Sequence, residues 1–180
     1  MQRFLTTPPQ RILTAITIVA SVATVLISRA FVAPETAMRA RGAGIVDYEL
    51  AFSAERAGAM LTAWGSQGQE AARVSLLIDF GFIPSYAVAL AGITLLIARA
   101  QPGVLKAAGL RIALAPILAA PLDVLENLML LLMLGQTVVS PIPPLVTGVA
   151  ASIKFALLLA ALLYWPVAGG AWLVRRLRPR

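Results

Sequence analysis

The sequence predicts an all-α membrane protein, a four-transmembrane-helix bundle with a short extracytoplasmic interfacial helix between the first and second spans. Hydrophobic residues make up 59% of the 180-residue chain and the mean hydropathy is +0.86, above the range of soluble domains. The apolar residues are concentrated in four runs, each near the ~20 residues that a helix needs to cross a bilayer. Basic residues are also distributed unequally between alternate connecting segments, as the positive-inside rule requires.

The four predicted spans cover residues 12–32, 74–98, 110–134 and 145–167 of a single membrane domain, 1–180. The chain is too short to hold a separate soluble domain as well. A cleaved signal peptide is the alternative for the first run, but cleavage after Ala33 would place Phe31 at the −3 position, where a cleavage site prefers a small residue. We therefore expect an uncleaved membrane anchor.

Charge predicts the orientation of the spans. With the N-terminus inside, the cytoplasmic segments hold nine basic residues and no acid: Arg3, Arg11, Arg99, Lys106, Arg111, Arg175, Arg176, Arg178 and Arg180. The outer segments balance Arg29, Arg39, Arg41, Arg56 and Arg73 against Glu35, Asp47, Glu49, Glu55 and Glu70. We expect both ends on the cytoplasmic side of a bacterial inner membrane, with the basic tail 168–180 near anionic lipid and no nucleic-acid partner.

The residue inventory excludes several kinds of chemistry. The chain contains no cysteine and no histidine, which removes disulfides, thiol catalysis, iron–sulfur ligation and the usual zinc and haem sites. Oxygen ligands alone would suit Mg²⁺ or Ca²⁺, but a nearby lysine would compete with the ion. We expect no cofactor and no metal.

The connection 34–72 between the first two spans is predicted to be an extracytoplasmic loop with one helix over residues 54–64. Ser53 is placed to cap that helix, and Gly65 is suited to end it. Trp64 would lie at the depth of the lipid headgroups, either as an interface anchor or as part of a lid over the bundle. The state of residues 45–52 stays open between loop and helix.

Ionisable residues on three spans fall at overlapping depths. Asp79 lies about 9 Å from the outer end of the second span, and Lys154 about 14 Å from that of the fourth, at 1.5 Å per residue. Asp123, Glu126 and Asn127 share one face of the third span at about 12–18 Å. Since isolated charges in a bilayer are costly, we expect these side chains to face one another.

Two prolines and a tyrosine point to the same region. Tyr86 lies two turns from Asp79 on the same helix face. Pro84 and Pro121 each free one carbonyl of the preceding turn, and kinked helices leave room for a ligand or water. The sequence predicts a polar pocket in the outer half of the bundle, lined by Asp79, Tyr86, Asp123, Glu126, Asn127 and Lys154.

Three functions fit such a pocket. It would bind a membrane lipid or an amphipathic or cationic small molecule, which we expect foremost. It would alternatively serve a membrane enzyme acting on a lipid or isoprenoid, with Asp123 or Glu126 as proton donor or acceptor and Lys154 as electrostatic partner. In the third interpretation the polar side chains only hold a structural or assembly subunit together. Small residues such as Ala87 and Ala91 would pack within the bundle or in a homo-oligomer.

Several stretches resemble a pattern in poorly characterised bacterial four-span integral membrane proteins. They are Asp79-Phe80 with Phe82 and Tyr86, Asp123-Val-Leu-Glu126-Asn127, and the upstream Glu49-Leu-Ala-Phe with Trp64. The resemblance covers about residues 45–160 and implies the same topology, without an established activity. More loosely, acids in a four-span pocket are similar to those of the sterol-isomerase and sigma-2 receptor superfamily. This chain lacks that group's histidine, which puts isomerase chemistry in doubt.

Overall fold

The computed structural model describes residues 7–177, and these form helices and connections without a strand. Arg3, Arg178 and Arg180 of the predicted orientation signal lie outside the described residues. The helices are α1 (Gln10–Ser28), a 3-10 turn (Arg29–Phe31), α2 (Val32–Arg39), α3 (Ile45–Glu49), α4 (Ala54–Arg99), α5 (Gly103–Ile112), α6 (Ala115–Met133) and α7 (Ile142–Leu177). The predicted all-α fold class is confirmed.

Four helical segments are long and apolar enough to cross a membrane: Gln10–Arg39, Ala54–Arg99, Gly103–Met133 and Ile142–Leu177. Many large apolar side chains on these helices are exposed, including Val19, Leu26 and Leu163. Such exposure is unfavourable in water but suits a chain surrounded by lipid, because the bilayer core is as apolar as these side chains. The protein is therefore membrane-embedded, with the four spans that the sequence predicts.

Each segment is longer than its predicted span, and prolines explain two of the interruptions. Pro34 has no N–H to bond the carbonyl of Ala30, and the 3-10 turn between α1 and α2 lies at that point. Pro116 likewise leaves the Ile112 carbonyl without its usual donor, at the boundary between α5 and α6. The predicted third span 110–134 is therefore a bent pair of helices that begins earlier, at Gly103.

The segment predicted as a loop, 34–72, is mostly helical. Ser53 caps α4 as expected, with its hydroxyl accepting a hydrogen bond from the Arg56 N–H at 3.2 Å. Gly65 has φ 57° and ψ −167°, outside the helical region, so the predicted break is present. The chain then resumes the helix at once, instead of continuing as a loop. Gly65 suits this break because it has no Cβ to clash at positive φ.

We call the region formed by α2, α3 and the first part of α4, residues 54–64, the cap. Its buried core joins these elements to the adjoining ends of α4 and α6 through Met38, Tyr48, Ala51, Ala57, Leu61, Trp64, Ala72, Leu76, Leu130, Met133 and Leu134. The helices α2 and α3 add to the one helix predicted in this connection, because apolar side chains scattered through it share a common core. Burial of this core stabilises a folded cap over one end of the bundle.

The opposite end, where α1 begins and α7 ends, has a separate core around Leu13, Leu95, Leu110 and Tyr164. We call it the termini end. The Tyr164 hydroxyl donates to the Leu105 carbonyl at 3.0 Å. Across the bundle, α4, α6 and α7 pack against one another, whereas α1 packs mainly along α4. This arrangement leaves space beside α1 in the middle of the bundle.

Candidate functional site

Lys154 of α7 lies at the centre of the polar residues between the two cores. Its ammonium donates to Asp123 Oδ1 at 2.8 Å and to Glu126 Oε1 at 3.0 Å. A third acid, Glu49, places Oε2 at 3.5 Å from the same nitrogen. Lys154 is only 5% exposed, so its ammonium faces protein carboxyls and not solvent.

The acidic face of α6 has the arrangement that its spacing predicts. Asp123, Glu126 and Asn127 are all buried, because residues three and four apart project from the same side of a helix. This side faces α4 and α7. Asp123 and Glu126 reach Lys154, while the Asn127 amide points to α4.

Two hydrogen bonds join α4 to this face. The Tyr86 hydroxyl donates to Asp123 Oδ2 at 2.6 Å. The Asn127 side-chain amide donates to Asp79 Oδ2 at 2.7 Å. The structure therefore brings together all six residues assigned to the pocket from sequence, and both oxygens of Asp123 are occupied, one by a phenol and one by an ammonium.

Sequence reasoning assigned Glu49 to the outer surface and missed it as a member of this group. Glu49 is 8% exposed and ends α3, which directs its side chain into the bundle. The available signal was its apolar surroundings, since Tyr48, Leu50, Ala51 and Phe52 flank it. We call Glu49, Asp79, Tyr86, Asp123, Glu126, Asn127 and Lys154 together the polar cluster.

The carboxyls in the polar cluster are not fully satisfied. Glu49 Oε2 and Glu126 Oε2 are buried and have no hydrogen-bond donor among the described residues. Burial raises the pKa of the Glu49 carboxyl, and the nearby positive charge of Lys154 opposes this rise only in part. A buried carboxylate oxygen without a donor is unfavourable, whereas a protonated carboxyl needs fewer donors.

A cavity of about 390 Å³ adjoins the polar cluster. Its polar wall is formed by Glu49, Asp79, Asp123 and Lys154, and the rest of its lining is Thr24, Val46, Phe82, Tyr86, Ala89, Leu90, Phe155 and Leu158. Thr24 belongs to α1 and Phe155 to α7, so the cavity lies in the space beside α1. Val46 and Phe155 are themselves exposed, and the cavity therefore opens at the side of the bundle.

A second, smaller cavity lies next to the first and shares two of its acids. It measures about 60 Å³ and is lined by Phe31, Ile45, Glu49, Ser75, Leu76, Asp79 and Asn127. This volume exceeds that of a single water molecule, and its polar lining supplies the partners that a buried water needs. Glu49 and Asp79 consequently separate a large apolar space from a small polar one.

Trp64 lies away from both cavities. It is 1% exposed, its indole N–H donates to the Ala43 carbonyl at 2.8 Å, and its ring packs edge-on against Tyr48 with centroids 5.0 Å apart. This placement differs from the interfacial ring expected from sequence. The reason is that α2 and α3 fold over the helix and cover its apolar face, so the ring contacts protein instead of headgroups.

The geometry limits the chemistry of the site. No group of three or more acidic residues in the described part of the chain is arranged to hold a metal ion, and the ammonium of Lys154 already stands between the acids. Glu126 is 0% exposed and does not line either cavity. The groups that reach the large cavity with spare hydrogen-bonding capacity are acceptors, chiefly Asp79 and Glu49.

Fold and site together define a membrane-embedded helical bundle with a buried ion-pair cluster beside a lateral cavity. Models of known protein families, curated proteins and solved structures were compared with this chain, and none of them matches it.

Proposed function

We propose that this chain is an integral protein of the bacterial cytoplasmic membrane whose lateral cavity binds a lipid-like molecule with a cationic head. Both ends lie in the cytoplasm in this proposal, and the cap lies outside. The orientation is supported by the termini end, where Arg11, Arg99, Lys106, Arg111, Arg175 and Arg176 occur without an acid among the described residues.

One observation carries the proposed ligand class: the polar cluster contains four carboxyls and one ammonium. The donors near the cavity are already used, because Lys154 bonds to acids and the Tyr86 hydroxyl bonds to Asp123. Asp79 and Glu49 retain acceptor capacity. A ligand head that donates hydrogen bonds or carries a positive charge suits this wall, and an anionic head would meet carboxylates without a free donor.

The remaining lining supports an amphiphile over a small hydrophilic cation. Phe82, Leu90, Phe155 and Leu158 form an apolar wall opposite the acids, and aromatic faces also attract ammonium groups. The side opening allows a chain to extend from the cavity into lipid. A head near Asp79 with a tail along α7 uses both parts of the lining.

The enzyme alternative has less support. Asp123 has both oxygens engaged by Tyr86 and Lys154, and Glu126 is enclosed by protein. A general acid or base must reach the proton that it transfers. Glu126 does not reach either cavity, and Asp123 lines the large cavity only with oxygens that Tyr86 and Lys154 already occupy.

We predict that Asp79→Asn weakens binding of octyltrimethylammonium at least tenfold. The substitution removes one carboxylate from the cavity wall and keeps an oxygen that can accept the Asn127 hydrogen bond. Isothermal titration calorimetry on the purified protein in maltoside micelles, with empty micelles subtracted, measures the affinity. Asp47→Asn is the matched control, because Asp47 is a half-exposed cap residue outside both cavities, and it should bind as wild type does.

Octyl sulfate has the same tail with an anionic head and should bind wild type much more weakly than the cation. Equal affinity for the two amphiphiles would contradict the proposed ligand class. If wild type bound neither of them, while Asp79→Asn lowered the unfolding temperature, the polar cluster would be structural and the proposed function would be wrong.

A further inference from the structure

The charges of the polar cluster do not balance if every acid is ionised. Glu49 comes from α3, Asp79 from α4, and Asp123 and Glu126 from α6. Among residues 7–177, Lys154 from α7 is the one basic residue that contacts these acids. Like charges in a poorly solvated site repel strongly, and such groups relieve the repulsion by retaining a proton. The empty site is therefore expected to hold at least one proton on a carboxyl.

Glu49 is the carboxyl best placed to hold that proton. Its Oε2, like that of Glu126, has no hydrogen-bond donor among the described residues, but Glu49 lines both cavities and Glu126 lines neither. Its distance of 3.5 Å from the Lys154 nitrogen is also the longest of the three lysine–acid contacts. The groups facing it are Asp79, Asp123, Glu126 and Lys154, so three of the four are acids. Burial also raises the pKa of Glu49.

Glu49 lies between the two cavities, so a cation can approach it from one side and water from the other. On one side it lines the large cavity, where the proposed cationic head lies. On the other it lines the small polar cavity with Ser75 and Asn127, which has room for water that accepts a proton. Its proton can leave on one side while a cation approaches on the other.

We propose that binding of the cationic ligand releases one proton from Glu49, so that the site holds either a proton or a cation. In this step the O–H bond of the Glu49 carboxyl breaks, the proton passes to water, and the carboxylate left behind pairs with the ligand cation. Charge is conserved, because one positive charge leaves the cluster as another enters. The exchange rests on the proposed function, since it requires a cation to occupy the large cavity.

Calorimetry in two buffers of different ionisation enthalpy counts the protons released on binding. Octyltrimethylammonium is the probe, because a quaternary ammonium has no proton of its own to lose. Wild type should release about one proton per bound cation at acidic pH, where Glu49 is protonated before binding. Glu49→Gln should bind the probe more weakly and release none.

A second measurement follows the pH dependence of binding to wild type, so its main result does not depend on a variant folding. The affinity for the probe should rise about tenfold per pH unit on the acidic side and reach a plateau once Glu49 is ionised in the free protein. The Glu49→Gln affinity should change little over the same range. Folding of that variant is checked by its unfolding temperature.

The outcomes separate the exchange from the proposed function. Binding to wild type without proton release, or with an affinity independent of pH, would overturn the exchange and leave the cation site intact. Proton release that persists in a folded Glu49→Gln would overturn the assignment to Glu49. Absence of probe binding to wild type at every pH would overturn both proposals.

Discussion

Lys154→Met is expected to lower the free energy of unfolding by about 3–5 kcal/mol, the usual cost of removing one partner from a buried ion pair. Methionine is about as long as the aliphatic part of lysine, so the substitution removes the charge with little change in volume. Three carboxyls then lose their only nearby positive charge. Equilibrium unfolding in mixed micelles, followed by circular dichroism, measures the change.

Two matched variants show whether charge is the cause. Lys106→Met makes the same chemical change at the termini end, away from the polar cluster, and should alter stability by less than about 0.5 kcal/mol. Adding Glu126→Gln to Lys154→Met removes one of the uncompensated carboxyls and should restore part of the loss. If the Lys154→Met protein were as stable as the Lys106→Met protein, Lys154 would not be compensating buried carboxylates.

Trp64→Ala is expected to cost about 3–5 kcal/mol, as for other large aromatic residues in well-packed cores. The substitution leaves a cavity between α2, α3 and α4 and removes the hydrogen bond to the Ala43 carbonyl. Thermal unfolding and protease sensitivity of the cap both report the loss. Cleavage should become faster between residues 40 and 53, the stretch that contains α3 and its connections to α2 and α4.

Trp172→Ala is the matched control, because Trp172 lies on α7 near the termini end and is 45% exposed. The substitution removes the same side chain from a position that is not part of a buried core. Its effect on stability should be small. If both tryptophan variants lost equal stability, or if Trp64→Ala left the cap resistant to protease, Trp64 would be an interface anchor and not a core residue.

The geometry of the spans made part of the site predictable from sequence. Helical spacing fixes which side chains share a face, so Asp123, Glu126 and Asn127 could be grouped without coordinates. The high cost of dispersed charges in lipid then required Asp79 and Lys154 to join them. Helical spacing also placed Tyr86 on the same face as Asp79. Its hydrogen-bond acceptor, Asp123, could not be identified from the sequence of α4 alone.

The cap and Glu49 could not be predicted because they depend on contacts between segments distant in sequence. Nothing local indicates that Met38, Tyr48 and Trp64 share one core, since they lie on three separate helices, α2, α3 and α4. Hydropathy assigns depth only to residues within long apolar runs. Glu49 lies outside such a run and reaches the bundle interior because α3 is folded inward by that core.

Photolabelling shows whether a cationic amphiphile occupies the lateral cavity. An alkyl trimethylammonium probe carrying a diazirine near its head would be cross-linked to wild type, and the labelled residues located by mass spectrometry. We expect labels on Phe82, Phe155 and Leu158, competed by unlabelled octyltrimethylammonium and much reduced in Asp79→Asn. Labels confined to the cap or the termini end, or unaffected by competitor and by Asp79→Asn, would contradict the proposed function.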